Sequence, residues 1–354
     1  MSSALLFPLG SEVSAAARAG VASPGERRAT RRLSVETIPV RSALTRQEGA
    51  SARWFDWSAN PYRGRELACG DCSARGTQAM PRPEIVAWLG HDAPRESEER
   101  IDVKEGFAAA LRRDLRRRVR PGEHVAFGTA TDPYQPIERR EGVTRESLRV
   151  LAQASGLRIS ITTKSSLVLR DADLLREVGR RNSVRVNVTI TTPDRRLARF
   201  LEPRAPPPGV RIATLRALRR EGIRAGVFLM PVLPGVTDAE ADLVALFRAA
   251  SDAGADSVAH QTVFLEGAAR AHFLPLLRRQ YPRVAARYEV WTRAGRNLPD
   301  DVRAEVARRV RALAREFGLD GGMEGSPRPP VPPPSGPLRQ REFEFAQRIA
   351  NGEA

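Results

Sequence analysis

Residues 158–190 read RISITTKSSLVLRDADLLREVGRRNSVRVNVTI: two short runs rich in β-branched residues, Arg158–Thr162 and Val184–Ile190, flank a longer stretch at helical spacing. A parallel strand pair needs a connection long enough to hold a helix, so this order predicts a parallel βαβ unit. The alternation continues on both sides, with Val125–Thr129 before it and Ala225–Met230 and Ser257–Leu265 after it. An α/β fold built on a parallel sheet is the expectation.

Helix boundary signals fit that frame. Thr192 stands where it would cap a helix whose first position is Pro193, a place where the missing N–H costs nothing. Thr237 and Glu240 have capping-box spacing, while Gly156 and Gly222 fall where helix C-caps are expected. Upstream, Phe107, Leu111, Leu115 and Val119 recur every four residues, and arginines at 112, 113, 116, 117, 118 and 120 fill the remaining faces. Those arginines suit a solvated helix face or a stripe for nucleic acid. After about residue 266 the pattern is helical again. Residues 1–50, which include Arg27, Arg28, Arg31 and Arg32, show no sustained period and are expected to be disordered. Residues 325–334 (GSPRPPVPPP) read as an extended linker ahead of a short terminal helix, Leu338 to Ile349.

A chain of 354 residues with 41% apolar content buries a sizeable core. Its formal charge of +16 rests on arginine, Lys104 and Lys164 being the only lysines. Phosphate-bearing partners such as nucleic acid suit that charge. GC-rich coding produces the same excess of Ala and Arg, so charge alone decides nothing. The start of the chain lacks a basic n-region and Pro8 breaks its apolar run, which argues against a signal peptide. No stretch approaches the roughly 18 apolar residues that span a bilayer. No membrane partner is expected, and the cytoplasm is the expected location.

Ligands of parallel α/β folds gather at the carboxyl ends of the strands. That rule singles out Gly128–Pro136 after one strand, Thr162–Ser165 after the next, Asn187, Thr189 and Thr191 on a third, Glu202 beyond its helix, and Met230–Gly235 after a fourth. Lys164 stands out: where arginine supplies nearly every other positive charge, a lysine at a strand end suits a compact point charge facing a carboxylate. A solvated loop lysine is the plainer alternative.

The two cysteines, Cys69 and Cys72, form a C-x-x-C and no disulfide framework. Thioredoxin-like chemistry wants such a pair at a helix start, and structural zinc wants four ligands; the neighbouring residues support neither. His91 and His124 read as solvated residues, and His260 as a hydrogen-bonded residue of a strand.

With these residues assembled, the chain resembles the spore photoproduct lyase-like branch of radical S-adenosylmethionine proteins. The resemblance rests on Asp56–Gly64 (DWSANPYRG) followed by Cys69 and Cys72, then Gly128–Glu138 (GTATDPYQPIE), Thr163-Lys164-Ser165 and Glu202-Pro203-Arg204, in order across roughly residues 35–320. It implies a partial (β/α)6 barrel of the TIM type, which is expected over residues 51–265, while the residue pattern sets a helical part over 266–320 and a linker with a terminal helix over 321–354. It also implies a C-x3-C-x2-C loop whose three thiolates hold a [4Fe–4S] cluster that anchors S-adenosylmethionine and cleaves it to a 5′-deoxyadenosyl radical. Cys69 and Cys72 would then be the second and third ligands. Thr131, Asp132 and Lys164 would meet the methionyl end, Thr189 the ribose, and Met230 the adenine.

The loop departs from that pattern. It reads Arg65-Glu66-Leu67-Ala68-Cys69-Gly70-Asp71-Cys72, with arginine where the first cysteine belongs. A guanidinium stays protonated and has no lone pair for a metal. Asp71 could offer an oxygen, but such clusters are held overwhelmingly by thiolate. Two functions follow from the sequence: a radical S-adenosylmethionine enzyme with an incomplete cluster motif, or a non-catalytic descendant that binds S-adenosylmethionine or nucleic acid.

Overall fold

The computed structural model describes residues 34–48, 54–64, 66–67, 100–293 and 295–321. Strands β1 (Ser34–Pro39), β2 (Leu44–Arg46), β3 (Trp57–Ala59), β4 (Tyr62–Arg63) and β5 (Arg100–Glu105) precede helix α1 (Phe107–Arg118). Strand β6 (His124–Phe127) leads to α2 (Glu138–Glu141) and α3 (Val143–Leu151). Next come β7 (Arg158–Thr163), a 3-10 turn at Ser166–Asp171, α4 (Ala172–Gly179) and β8 (Ser183–Thr189). After α5 (Arg195–Leu201) and α6 (Pro208–Arg220) follow β9 (Ala225–Val232), α7 (Glu240–Asp252) and β10 (Val258–Thr262). Helices α8 (Gly267–Gln280), α9 (Pro282–Trp291) and α10 (Asp300–Glu316) come last.

The main sheet runs β10-β9-β8-β7-β6-β3-β2, six parallel strands with β2 antiparallel at one edge. This is the α/β architecture of a partial (β/α)6 barrel. Strand β8 shows how the sequence builds it. Successive side chains of a strand point to opposite faces, so Val184, Val186 and Val188 share one face and join the hydrophobic core with helical Leu148, Leu151, Leu175, Leu215 and Leu218. Arg185, Asn187 and Thr189 share the other, which looks into the barrel. Ser58, Ala126, Ser160 and Arg185 form one cross-strand row on that inner face. The lumen is therefore polar, and its groups need partners. His124 Nε2 lies 2.7 Å from Ser160 Oγ, and Arg185 reaches Ser257 Oγ at 3.0 Å and the Asp256 carboxylate at 3.8 Å. Burial pulls the Arg185 guanidinium down to about 10.

A second apolar cluster packs Leu197 and Leu201 of α5 against Phe273, Leu277, Val284 and Tyr288 of α8 and α9. It seats α5 just beyond the carboxyl end of β8.

The five strands expected from the sequence form within a few residues of their expected ends, and several finer expectations are corrected. Residues 34–48, inside the stretch expected to be disordered, hold β1 and β2; β1 pairs in parallel with β5 in a small sheet ordered β1-β5-β4. The exposed, short β1 carries too little apolar patterning to announce itself. Residues 1–33 and the linker and terminal helix beyond 321 lie outside the described residues. Asp194, not Thr192, caps α5: its carboxylate accepts from the backbone N–H groups of Arg196 (2.7 Å) and Leu197 (3.2 Å), whereas the Thr192 hydroxyl accepts from Asp194 N at 3.1 Å. An anion is the better cap at a helix start. Thr237 caps nothing either; its hydroxyl accepts from Leu233 N at 2.9 Å, and Ala239 holds the N-cap of α7. Gly222 does sit just past the end of α6 with φ 74°, but Gly156 lies in a loop beyond α3. Helix α1 ends at Arg118, so Val119 is extended. His124 is buried rather than solvated, its Nδ1 3.0 Å from Trp54 O.

Candidate functional site

At the carboxyl ends of β3 and β6 the Asn60 side chain sets the first rim loop. Its Oδ1 accepts from Ala130 N (2.9 Å) and Thr131 N (3.3 Å), and its Nδ2 donates to Thr129 Oγ1 at 3.1 Å. The loop turns at Gly128, whose φ of 83° and lack of a Cβ are both required, since a Cβ there would lie 2.4 Å from Thr162 O. The Thr131 hydroxyl donates to Tyr62 O at 3.1 Å. Asp132 ties this loop to the next: it accepts from Tyr134 N (2.9 Å), Thr163 Oγ1 (2.7 Å) and Lys164 N (2.7 Å). Burial pushes its carboxyl above the usual range, against the pull of those donors.

Lys164, at the end of β7, does not face solvent as a loop lysine would. Its Nζ is 2.7 Å from Glu202 Oε1, and its side chain is 16% exposed. Glu202, wholly buried beyond α5, also pairs with Arg211 Nη2. Two neighbouring cations outweigh burial and hold the Glu202 carboxyl well below its usual range, at about 2. Arg211, on α6 and only 2% exposed, donates further to Thr189 O (3.0 Å) and Pro206 O (2.7 Å). One chain of ionic and hydrogen bonds thus fixes Lys164, Glu202 and the top of β8 together. Arg211 escaped the sequence reading because one more arginine carries no signal in this composition.

Three buried polar atoms near this rim have no hydrogen-bond partner among the described residues: Asn187 Nδ2 and Thr191 Oγ1 on or just beyond β8, and Gln135 Nε2 in the first rim loop. A buried donor left unmade costs on the order of 1–3 kcal/mol, so each of the three calls for a polar partner beyond the described residues. Thr189 ends β8 between Asn187 and Thr191, and Met230 lies two residues before the end of β9.

The approach to the cysteine loop is described only at Glu66 and Leu67. Glu66 N donates to Gln135 Oε1 at 3.1 Å, and its carboxylate accepts from Ile137 N at 2.8 Å. The loop therefore starts against the first rim loop. Arg65, Cys69, Asp71 and Cys72 lie outside the described residues, as does His91. His260 lies in β10, where burial lowers its pKa. Among the described residues, no three His, Cys, Asp or Glu side chains converge as a metal-binding group, and no helix is long and apolar enough to cross a membrane.

Residues 66–247 match the family model of the radical SAM superfamily. The chain belongs to the radical SAM superfamily. An uncharacterized protein of Mycobacterium tuberculosis is 34% identical over 290 residues, covering 82% of this chain and 83% of that one. One from Methanocaldococcus jannaschii is 34% identical over 181 residues, covering 51% and 62%. Among solved structures, a spore photoproduct lyase variant with bound AdoMet and dinucleoside spore photoproduct superimposes with a TM-score of 0.58 at 15% identity, covering 81% of this chain and 80% of that one. That likeness carries the fold.

Membership of this superfamily implies S-adenosylmethionine and a [4Fe–4S] cluster in general, and the two fit this chain differently. The orphaned donors and the fixed ammonium at the mouth suit a small zwitterion with a hydroxylated ribose. The cluster finds too few ligands: the chain has two cysteines in all, and position 65 carries a guanidinium.

Proposed function

We propose that this is a cytoplasmic, S-adenosylmethionine-binding protein that keeps the radical SAM barrel without a complete cluster loop of its own. The observation that carries the reading is the fixed Lys164 ammonium at the same strand ends as the unpartnered Asn187 and Thr191. The Glu202 pair holds the Lys164 ammonium at the strand ends, where its positive charge attracts the methionyl carboxylate. Thr131 and Asp132 act by shaping that end, since their own side chains are already bonded to Tyr62, Tyr134, Thr163 and Lys164. Thr189, flanked by Asn187 and Thr191, meets the ribose, and Met230 lies against the adenine. Bound S-adenosylmethionine supplies an activated sulfonium. Cys69 and Cys72 offer two thiolates to iron, one short of the usual set, and no radical step is assigned to the chain.

The polymer it acts on or holds is nucleic acid. The +16 charge favours a polyanion, and the lyase of similar fold holds a dinucleoside photoproduct. A binding role without turnover accounts for the loop best, because Arg65 removes a ligand while the pocket residues remain.

Titration calorimetry with S-adenosylmethionine tests the pocket. A charge-assisted hydrogen bond is worth about 1.5–3 kcal/mol, so Lys164→Ala is expected to weaken binding roughly 10- to 100-fold. Arg211 still compensates Glu202 in that variant, so the fold is expected to survive. Wild-type protein that shows no heat of binding, or a variant that binds equally well, would refute the assignment.

A further inference from the structure

Helix α5 turns two faces to different surroundings. Leu197, Ala198 and Leu201 are buried, whereas Arg195 and Arg199, one helical turn apart, are exposed. Both arginines line a cavity of about 260 Å³ whose other walls are Ala198, Ala205, Pro206 and Pro207. Neither has a carboxylate partner among the described residues. That sets them apart from the arginines packed around the barrel: Arg145 and Arg170 both hold Asp171, Arg219 holds Asp256, and Arg309 holds Asp238. Two like charges at i,i+4 repel unless an anion lies between them.

The cavity adjoins the mouth of the barrel. Pro206, one of its walls, gives its carbonyl oxygen to Arg211 at 2.7 Å, and Arg211 is the residue that holds Glu202 and the end of β8. The arginines of α1 lie elsewhere. Arg116 and Arg117 end a helix that feeds β6 six residues later, which sets them toward the amino ends of the strands, away from the mouth.

We infer that Arg195 and Arg199 clamp one phosphodiester of a nucleic-acid strand at the mouth, with Pro206 and Pro207 as the apolar wall for the adjoining sugar or base. Two guanidinium forks suit the several oxygens of one phosphate, and flat apolar walls suit a nucleoside. The assignment rests on the reading of the mouth as the ligand site and adds to it the residues that meet the polymer.

The test is anisotropy of a short fluorescein-labelled single-stranded DNA across a salt series, run on the full chain. Arg195→Gln/Arg199→Gln is expected to weaken binding by about 10-fold or more, and to lower the log–log salt slope by about 0.7, one phosphate contact on a single strand. Arg112→Gln/Arg116→Gln/Arg117→Gln, at the other end of the barrel, is expected to change both much less. Equal loss in the two variants, or an unchanged slope in the first, overturns the clamp. So does a deoxynucleoside monophosphate that competes at the same concentration as the strand, because the site would then hold a small phosphate ligand. Calorimetry with S-adenosylmethionine on the Arg195→Gln/Arg199→Gln variant keeps the two readings apart. Unchanged S-adenosylmethionine affinity with unchanged DNA affinity refutes the clamp alone, whereas a wild type that binds DNA but not S-adenosylmethionine refutes the pocket alone.

Discussion

Glu202→Ala is expected to cost about 3–5 kcal/mol of stability, the usual result of removing one partner from a buried ionic cluster. The carboxylate is wholly buried and stands between Lys164 Nζ at 2.7 Å and the guanidinium of Arg211. Without it two cations face each other with little access to water. Glu202→Gln keeps the volume and part of the hydrogen bonding but removes the charge, so a loss nearly as large is expected from it. Adding Lys164→Met to Glu202→Gln removes one of the two stranded cations, and the double variant is expected to be more stable than Glu202→Gln alone. Arg211 keeps its bonds to Thr189 O and Pro206 O in every case. Urea unfolding at neutral pH measures all three. A double variant no more stable than Glu202→Gln would mean that Lys164 is not stranded by the loss and that the ion pair carries little of the cost.

The same cluster sets a pH dependence. A carboxylate whose folded pKa is depressed adds stability that is complete above its unfolded value and is lost as pH falls through the folded one. For Glu202 that window runs from its ordinary 4.5 down to about 2. Asp132 and Asp238 have the opposite sign, since burial raises both; each disfavours the folded state above its unfolded pKa and relieves that cost on protonation. The net acid transition is therefore expected to be later and shallower than the carboxylate count suggests. The Glu202→Gln variant is expected to lose the Glu202 share of the pH dependence between 4.5 and 2 and to keep that of Glu123, whose carboxyl is also held at about 2 by hydrogen bonds from Arg120 N, Arg46 and Trp57. Urea midpoints across that range, compared with wild type, provide the check.

How much of this was readable depends on the range of the interactions. Strands β6 to β10 were legible because β-branched runs and the spacing of the connections are local properties. Lys164, Asn187, Thr189 and Thr191 were legible as rim residues because strand ends follow once the strands are known. Partnerships across the chain were not: Glu202 meets Lys164 and Arg211 only after two strands and two helices are folded, and Arg211 is one arginine in a chain that uses arginine nearly everywhere. Caps failed for a related reason. Thr192 and Asp194 both qualify as caps, and the choice between them was made by the anion's stronger pull on two N–H groups. At Thr237 the hydroxyl found a better use in closing the turn from Leu233. Strand β1 stayed hidden because its pairing with β5 spans more than sixty residues and buries little apolar surface of its own.

Arg65→Cys is expected to change the protein most. If Cys69 and Cys72 are the second and third ligands of a cluster loop, wild-type protein offers two thiolates to a site that is built on three. A cluster held at two corners exchanges with solvent and is lost, and a guanidinium at the third corner supplies charge but no electron pair. Anaerobic reconstitution of the wild type is therefore expected to give little iron that survives gel filtration, whereas Arg65→Cys is expected to retain near four irons per chain with the brown absorption of a [4Fe–4S] cluster. Because a third thiolate leaves one iron free for a small ligand, S-adenosylmethionine is expected to perturb the electron paramagnetic resonance signal of the reduced Arg65→Cys protein. Lys164→Ala in that background is expected to weaken the perturbation, which links the loop to the mouth of the barrel. Asp71 stands between the two cysteines and offers an oxygen to complete the wild-type set, so Asp71→Ala belongs in the same experiment. Iron content equal and stable in wild type and Arg65→Cys, and lost in Asp71→Ala, would replace the incomplete loop with a carboxylate-completed one and return the chain to the enzymes of its superfamily.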